Sequence, residues 1–184
     1  IEVAFLASGS SGNCAVVRSG STVVLLDAGI SVRRTRQRLA ALGVALADVS
    51  AIFLTHEHTD HVAGLDVLHR RAGLKLYANA GTIEAIGGES WSRPPAWNVF
   101  STGSQFQIGD LELEPFSVPH DAYDPVGFVV RTPGTKVAIV TFPRGARTKM
   151  HIHSHEQILY ILSGKGIVAN DQKEQIATPR QIFL

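Results

Sequence analysis

The sequence predicts an α/β fold over residues 1–141, followed by antiparallel β-strands from 142 to 184. Three observations point there. Short apolar runs bounded by Gly, Pro, Asn or Asp alternate with helix-period segments up to about residue 86. From residue 97, strand-like runs follow one another directly, separated by turn pairs such as Gly109-Asp110 and Pro133-Gly134. Beyond residue 141 the remaining runs are all strand-like.

Residues 2–7 and 14–18 read as strands around a Ser-Gly-Ser-Ser-Gly-Asn loop at 8–13. Residues 22–27 (TVVLLD) form a buried strand closed by Ala28-Gly29. Ser31 is a fitting N-cap for a helix to Leu42, with Val32, Leu39 and Leu42 on one face and Gly43 past its end. A strand is expected at 51–55, a helix at 64–71, a strand at 74–78 and a helix at 82–86. Residues 87–96, with Pro94-Pro95, read as irregular. Strands follow at 97–101, 105–108, 111–117, 127–132 and 136–141, and C-terminal hairpin turns at 163–166 and 170–171.

Composition narrows the class. With 45% hydrophobic and 18% charged residues over 184 positions, the chain has the make-up of one globular domain of ordinary size. No apolar run approaches the roughly 20 residues of a membrane helix. The opening residues lack the basic lead-in and apolar length of a signal peptide. A lone cysteine, Cys14, excludes an internal disulfide and fits a reducing compartment, so the cytoplasm is expected, with no membrane partner. The net charge of +1 gives no global field for nucleic acid. Arg33, Arg34, Arg36 and Arg38 cluster locally, either as a solvated helix face or as a DNA contact. Nothing specifies an oligomeric state.

Six of the eight histidines fall in two tight groups, His56/His58/His61 and His151/His153/His155. Side chains two apart on an extended segment point the same way. His56 and His58 can therefore share one metal directly after the 51–55 strand. Asp60 and His61, where the chain turns towards a helix, can face a second ion. Imidazole with carboxylate suits a divalent metal, zinc first, with manganese or iron tolerated.

This run, Thr55-His56-Glu57-His58-Thr59-Asp60-His61, preceded by a strand ending Leu26-Asp27-Ala28-Gly29, resembles the signature of the metallo-β-lactamase superfamily. His120, in Ser117-Val118-Pro119-His120-Asp121, sits where that family places its next ligand histidine. The resemblance implies a first metal site of His56, His58 and His120, with Asp60 and His61 in a second. Asp60 is also the catalytic candidate, orienting water, and Asp27 supports the ligand loop. The Ser/Gly loop and the stretch His120-Asp121-Ala122-Tyr123-Asp124-Pro125-Val126-Gly127-Phe128 are similar to a bacterial branch that includes DNA exonucleases. That implies hydrolysis of nucleic acid or a small phosphodiester by a metal-bound hydroxide. The Ser/Gly loop itself reads equally as a plain connection or as a phosphate cradle.

The resemblance stops near residue 141. Where the family places a bridging Asp this chain has Phe142, and no histidine follows His155. Gly145, His151-Ile152-His153, Gln157 and Gly164 instead resemble the first motif of a cupin barrel, with Gln157 in the usual place of Glu. His151, His153 and Gln157 would then be a second metal site, or one face of a plain polar strand. The pattern fits a junction near 140–142 joining two partial domains, 1–141 and 142–184. The leading expectation is a metal-dependent phosphodiester hydrolase, impaired by the missing carboxylate and histidine. The competing ones are a non-catalytic cupin-like metal- or small-ligand-binding module and a chimera with no function.

Overall fold

The computed structural model describes residues 1–87, 91, 94–140, 159–161, 164–169 and 172–183. It divides into two units, Ile1–Ala146 and Arg147–Leu184.

The first unit is layered as helices on a six-stranded sheet, backed by a four-stranded sheet. The larger sheet runs β1-β2-β3-β4-β5-β6, from β1 (Glu2–Ala7), β2 (Cys14–Ser19), β3 (Thr22–Leu26), β4 (Val49–Phe53), β5 (Lys75–Ala78) and β6 (Trp97–Val99). Its first two pairings are antiparallel and the next three parallel. The parallel pairs are bridged by α1 (Val32–Ala41), the α2 (Thr59–Val62) and α3 (Leu65–Ala72) pair, and α4 (Ala80–Ile86). The smaller sheet, β10-β9-β8-β7, is antiparallel and built from β7 (Phe106–Ile108), β8 (Leu111–Ser117), β9 (Val126–Thr132) and β10 (Thr135–Ile139).

Strand parity sorts the core into two layers. In β3, Val23 and Leu25 join Leu39 of α1 and Leu65 and Leu68 of α3. The alternating Val24 and Leu26 meet Leu111, Leu113, Phe128 and Val130 of the second sheet. A strand covered on both faces must be apolar throughout, which is why TVVLL reads as an unbroken run. Phe53 is the hub of the inter-sheet layer, with Tyr77, Phe106 and Phe128 rings 4.5, 5.7 and 5.9 Å away.

Element types follow the sequence closely, and the boundaries that move have local causes. The strand expected at 51–55 lies at Val49–Phe53, because the Thr55 amide donates to the Asp27 carboxylate instead of a sheet partner. Helix α4 begins two residues before its expected start, because the Asn79 side chain caps it by accepting from the Thr82 amide (2.9 Å). Ser31 caps α1 as expected.

In the second unit β11 (Leu159–Tyr160) pairs antiparallel with β14 (Ile182–Phe183), and β12 (Gly166–Ala169) with β13 (Glu174–Ala177). Phe142 and the cupin-like positions Gly145, His151, His153 and Gln157 lie outside the described residues. No helix among the described residues is long and apolar enough to cross a membrane.

The Phe53 hub gives a stability test. Phe53→Ala should remove about 3–5 kcal/mol of unfolding free energy, read by urea denaturation. A loss below about 1 kcal/mol would contradict face-to-face packing of the two sheets through this ring.

Candidate metal centre

The centre is built around a buried carboxylate. Strand β3 ends at Leu26, and Asp27 then takes a left-handed conformation (φ 62°), tolerable for Asp but rare for most residues. Its amide donates to the Phe53 carbonyl (2.8 Å), which stitches the ends of β3 and β4 together. The carboxylate, only 5% exposed, points into the ligand run. Oδ1 accepts from the Thr55 amide (2.9 Å), and the Thr55 hydroxyl lies 3.0 and 2.9 Å from the two oxygens. Oδ2 accepts from His61 Nδ1 (2.7 Å).

These bonds set the protonation of the imidazoles. A carboxylate only accepts, so His61 carries its proton on Nδ1. The Thr55 hydroxyl gives its single proton to Asp27, and its oxygen is left to accept from His56 Nδ1 (2.9 Å). His56 therefore presents Nε2 as a bare lone pair, and that atom is buried without a hydrogen-bond partner. Burial, with the neighbouring His61, lowers the His56 pKa to about 4, so its ring is neutral at physiological pH.

The other two imidazoles arrive from different places. His58 stands at the position preceding α2, and its Nε2–H donates to the Asp121 carbonyl (3.1 Å). His120 comes from the loop between β8 and β9, and its Nδ1 lies against the Asp121 carboxylate. That loop is drawn in by the Val126 amide, which donates to the Thr55 carbonyl (2.9 Å). One ligand atom each from His56, His58 and His120 falls within 4.8 Å of the others, and this is the group of that kind among the described residues. Three imidazoles that converge on one point, one of them with an orphaned buried nitrogen, fit a divalent metal. They would leave its fourth position open.

Asp60 and His61 stand beside this cluster, with the His61 ring centroid 3.9 Å from that of His56. The Asn13 side chain links the pair. Its amide nitrogen donates to Asp60 Oδ2 (2.8 Å) and to His61 Nε2 (3.0 Å), while its oxygen accepts from the Gly9 amide (2.9 Å). Burial acts to lower the His61 pKa, but the Asp27 hydrogen bond and the charges of Asp27 and Asp60 outweigh it and raise it. Asn13 opposes that rise, because its donor requires a lone pair on Nε2.

The Ser/Gly loop thus acts as a clamp. The Gly12 amide donates to the Gly9 carbonyl (3.0 Å) and the Asn13 amide to the Asp60 carbonyl (2.7 Å). Gly29 makes the close approach possible, since a Cβ there would lie 1.6 Å from the Asp60 oxygen. Three participants were not singled out from sequence: Thr55, Asn13 and Glu57. A hydroxyl closing an otherwise apolar strand was the one signal for Thr55. Glu57 accepts from the Tyr123 amide (2.9 Å), and its other oxygen is buried without a partner. The four arginines lie exposed on α1, whose buried residues are Thr35 and Leu39. The proposed second group, His151, His153 and Gln157, lies outside the described residues.

Comparison with known proteins agrees with this geometry. The family model of the metallo-beta-lactamase superfamily matches residues 7–163, running past the boundary expected near 141. The chain is 37% identical over 142 residues to exodeoxyribonuclease YycJ of Bacillus anthracis, covering 77% of this chain and 54% of that protein. It is 37% identical over 127 residues to exodeoxyribonuclease WalJ of Streptococcus pneumoniae, covering 67% and 47%. Ribonuclease Z of Methanopyrus kandleri is 32% identical over 125 residues, covering 64% and 43%. The chain spans about half the length of these curated relatives. Among solved structures, the Rm3 metallo-beta-lactamase superposes with a TM-score of 0.60 at 22% identity, over 74% of this chain and 56% of that one.

The relay through Thr55 is open to test. Thr55→Val keeps the shape but strands an Asp27 oxygen and His56 Nδ1, and should cost about 1–3 kcal/mol of stability. Nitrogen NMR should show His56 protonated on Nδ1 in the original protein and a tautomer mixture in the variant. An unchanged tautomer would contradict the relay.

Proposed function

The chain belongs to the metallo-beta-lactamase superfamily, and from that membership we propose that it is a metal-dependent hydrolase acting on phosphodiester bonds of nucleic acid. The observation that carries this reading is the buried, partnerless Nε2 of His56, grouped with the imidazoles of His58 and His120. A lone pair sealed from water without a donor is costly, and a cation is the partner that it and two adjacent imidazoles suit. The relatives named exodeoxyribonuclease and ribonuclease support nucleic acid as the substrate class.

His56, His58 and His120 would hold the ion, and zinc is the metal best matched to three imidazoles and an open position. A bound divalent ion supplies a Lewis acid, lowering the pKa of water and polarising a phosphoryl oxygen. The chain's own residues do the rest. Asp27 and Thr55 keep the His56 nitrogen deprotonated and aimed. Asp60, with one oxygen committed to Asn13, offers the other to orient water and accept its proton. His61, held by Asp27 on one nitrogen, completes with Asp60 a weaker place for a second ion. We infer slow turnover, because Phe142 stands where the family supplies a bridging carboxylate. We infer a cytoplasmic location from the lone Cys14, which offers no partner for an internal disulfide.

Purified protein dialysed against metal-free buffer should retain one transition metal per chain and slowly hydrolyse an activated phosphodiester when zinc is added. His56→Ala with His58→Ala should lose both. Unchanged metal content in the double variant would refute the assignment.

A further inference from the structure

We propose that Tyr123 is a stacking platform for an unpaired nucleobase, so that this centre selects single-stranded nucleic acid or strand ends. The proposal rests on the nucleic-acid reading above and deepens it.

Tyr123 is 64% exposed, and among the described residues of the first unit it is the exposed aromatic. Phe53, Phe100 and Phe128 are buried, and Phe5, Tyr77, Trp91, Trp97, Phe106 and Phe116 are half-buried. A large ring left in water gives up the burial that ordinarily places it in a core. Here the backbone beneath that ring is fastened at three points. The Tyr123 amide donates to Glu57 Oε1 (2.9 Å). Two residues earlier, the Asp121 carbonyl accepts from His58 Nε2 (3.1 Å). One residue later, the Asp124 carbonyl accepts from the Asn79 side chain (2.8 Å).

Two of those anchors, Glu57 and His58, belong to the ligand run itself, and Tyr123 follows His120 by three residues. The backbone that carries the ring is therefore fastened to the ligand run itself. Gly81 supplies the remaining piece. A Cβ there would lie 2.7 Å from Asp124 Cβ and 3.0 Å from Tyr123 Cδ1, so only glycine lets the loop lie this close to α4. The presence of glycine in the short α4 is explained by this contact. The outcome is a ring set against α4, open to solvent, on the same loop that carries His120.

Base–aromatic stacking contributes about 1–3 kcal/mol per base and tolerates any sequence, since every base has a π-face. A base within a duplex is already stacked on its neighbours, whereas one in a single strand is free to take the ring. The chemistry is shared by DNA and RNA.

The test is binding of end-labelled oligomers with cleavage-resistant phosphorothioate linkages, followed by fluorescence anisotropy on the full chain with zinc. Oligothymidylate, oligouridylate and an abasic oligomer of equal length are compared for the original protein, Tyr123→Ala and Tyr123→Trp. Tyr123→Ala should weaken binding of a base-bearing oligomer by about 5- to 150-fold. Tyr123→Trp should preserve that binding, and the abasic oligomer should bind all three proteins alike. A loss on only one of the two base-bearing oligomers identifies DNA or RNA as the ligand. Equal affinity of Tyr123→Ala and the original for both overturns the stacking role while leaving the nucleic-acid reading intact. So does an equal loss on the abasic oligomer. Failure of the original protein to bind any oligomer overturns the nucleic-acid reading itself.

Discussion

The centre depends on the Asp27 carboxylate being buried and fully partnered. A charge at 5% exposure is tolerated only where hydrogen bonds replace its water. Here the Thr55 amide, the Thr55 hydroxyl and His61 Nδ1 supply them. All three donors come from the segment that carries the metal-type side chains. The partners that stabilise the charge are thus also the groups it orients, and the tautomers of His56 and His61 follow from it. The left-handed turn at Asp27 is the local cost of aiming the carboxylate across to β4 rather than along its own strand.

The layered fold makes that arrangement stiff. Parallel pairing of β3 and β4 sets Leu26 opposite Phe53, so both strands end at the same level and deliver Asp27 and Thr55 side by side. The second sheet, packed on the first through Phe53 and Phe128, brings the β8–β9 loop to the same end. Bonds from the Val126 amide to the Thr55 carbonyl, from the Tyr123 amide to Glu57 and from His58 to the Asp121 carbonyl close that loop onto the ligand run and bring in His120. Three ligands from two sheets therefore meet without any of them resting on a long unsupported loop.

Much of this was legible in the sequence, where a side chain's role follows from its neighbours in the chain. The two-residue spacing of His56 and His58, the strand ending in Asp27, and the capped helix at Ser31 are of that kind. His120 came from resemblance, since no local rule ties it to residues sixty positions earlier. Asn13 escaped because its task is to bridge the first loop to Asp60 and His61, a contact that exists only after folding. Thr55 escaped for a related reason. A hydroxyl at a strand end reads as a boundary until Asp27 is seen beneath it. The Ser/Gly loop, open between a connection and a phosphate cradle, spends the amides of Gly9, Gly12 and Asn13 on its own clamp.

The central claim is that His56, oriented by the relay beneath it, binds one divalent ion together with His58 and His120. Diffraction from zinc-soaked crystals at the zinc absorption edge tests it most directly. The account predicts an anomalous peak about 2.0–2.1 Å from a nitrogen of each of these three residues. A peak elsewhere with none among the three, or no peak at all, would contradict it.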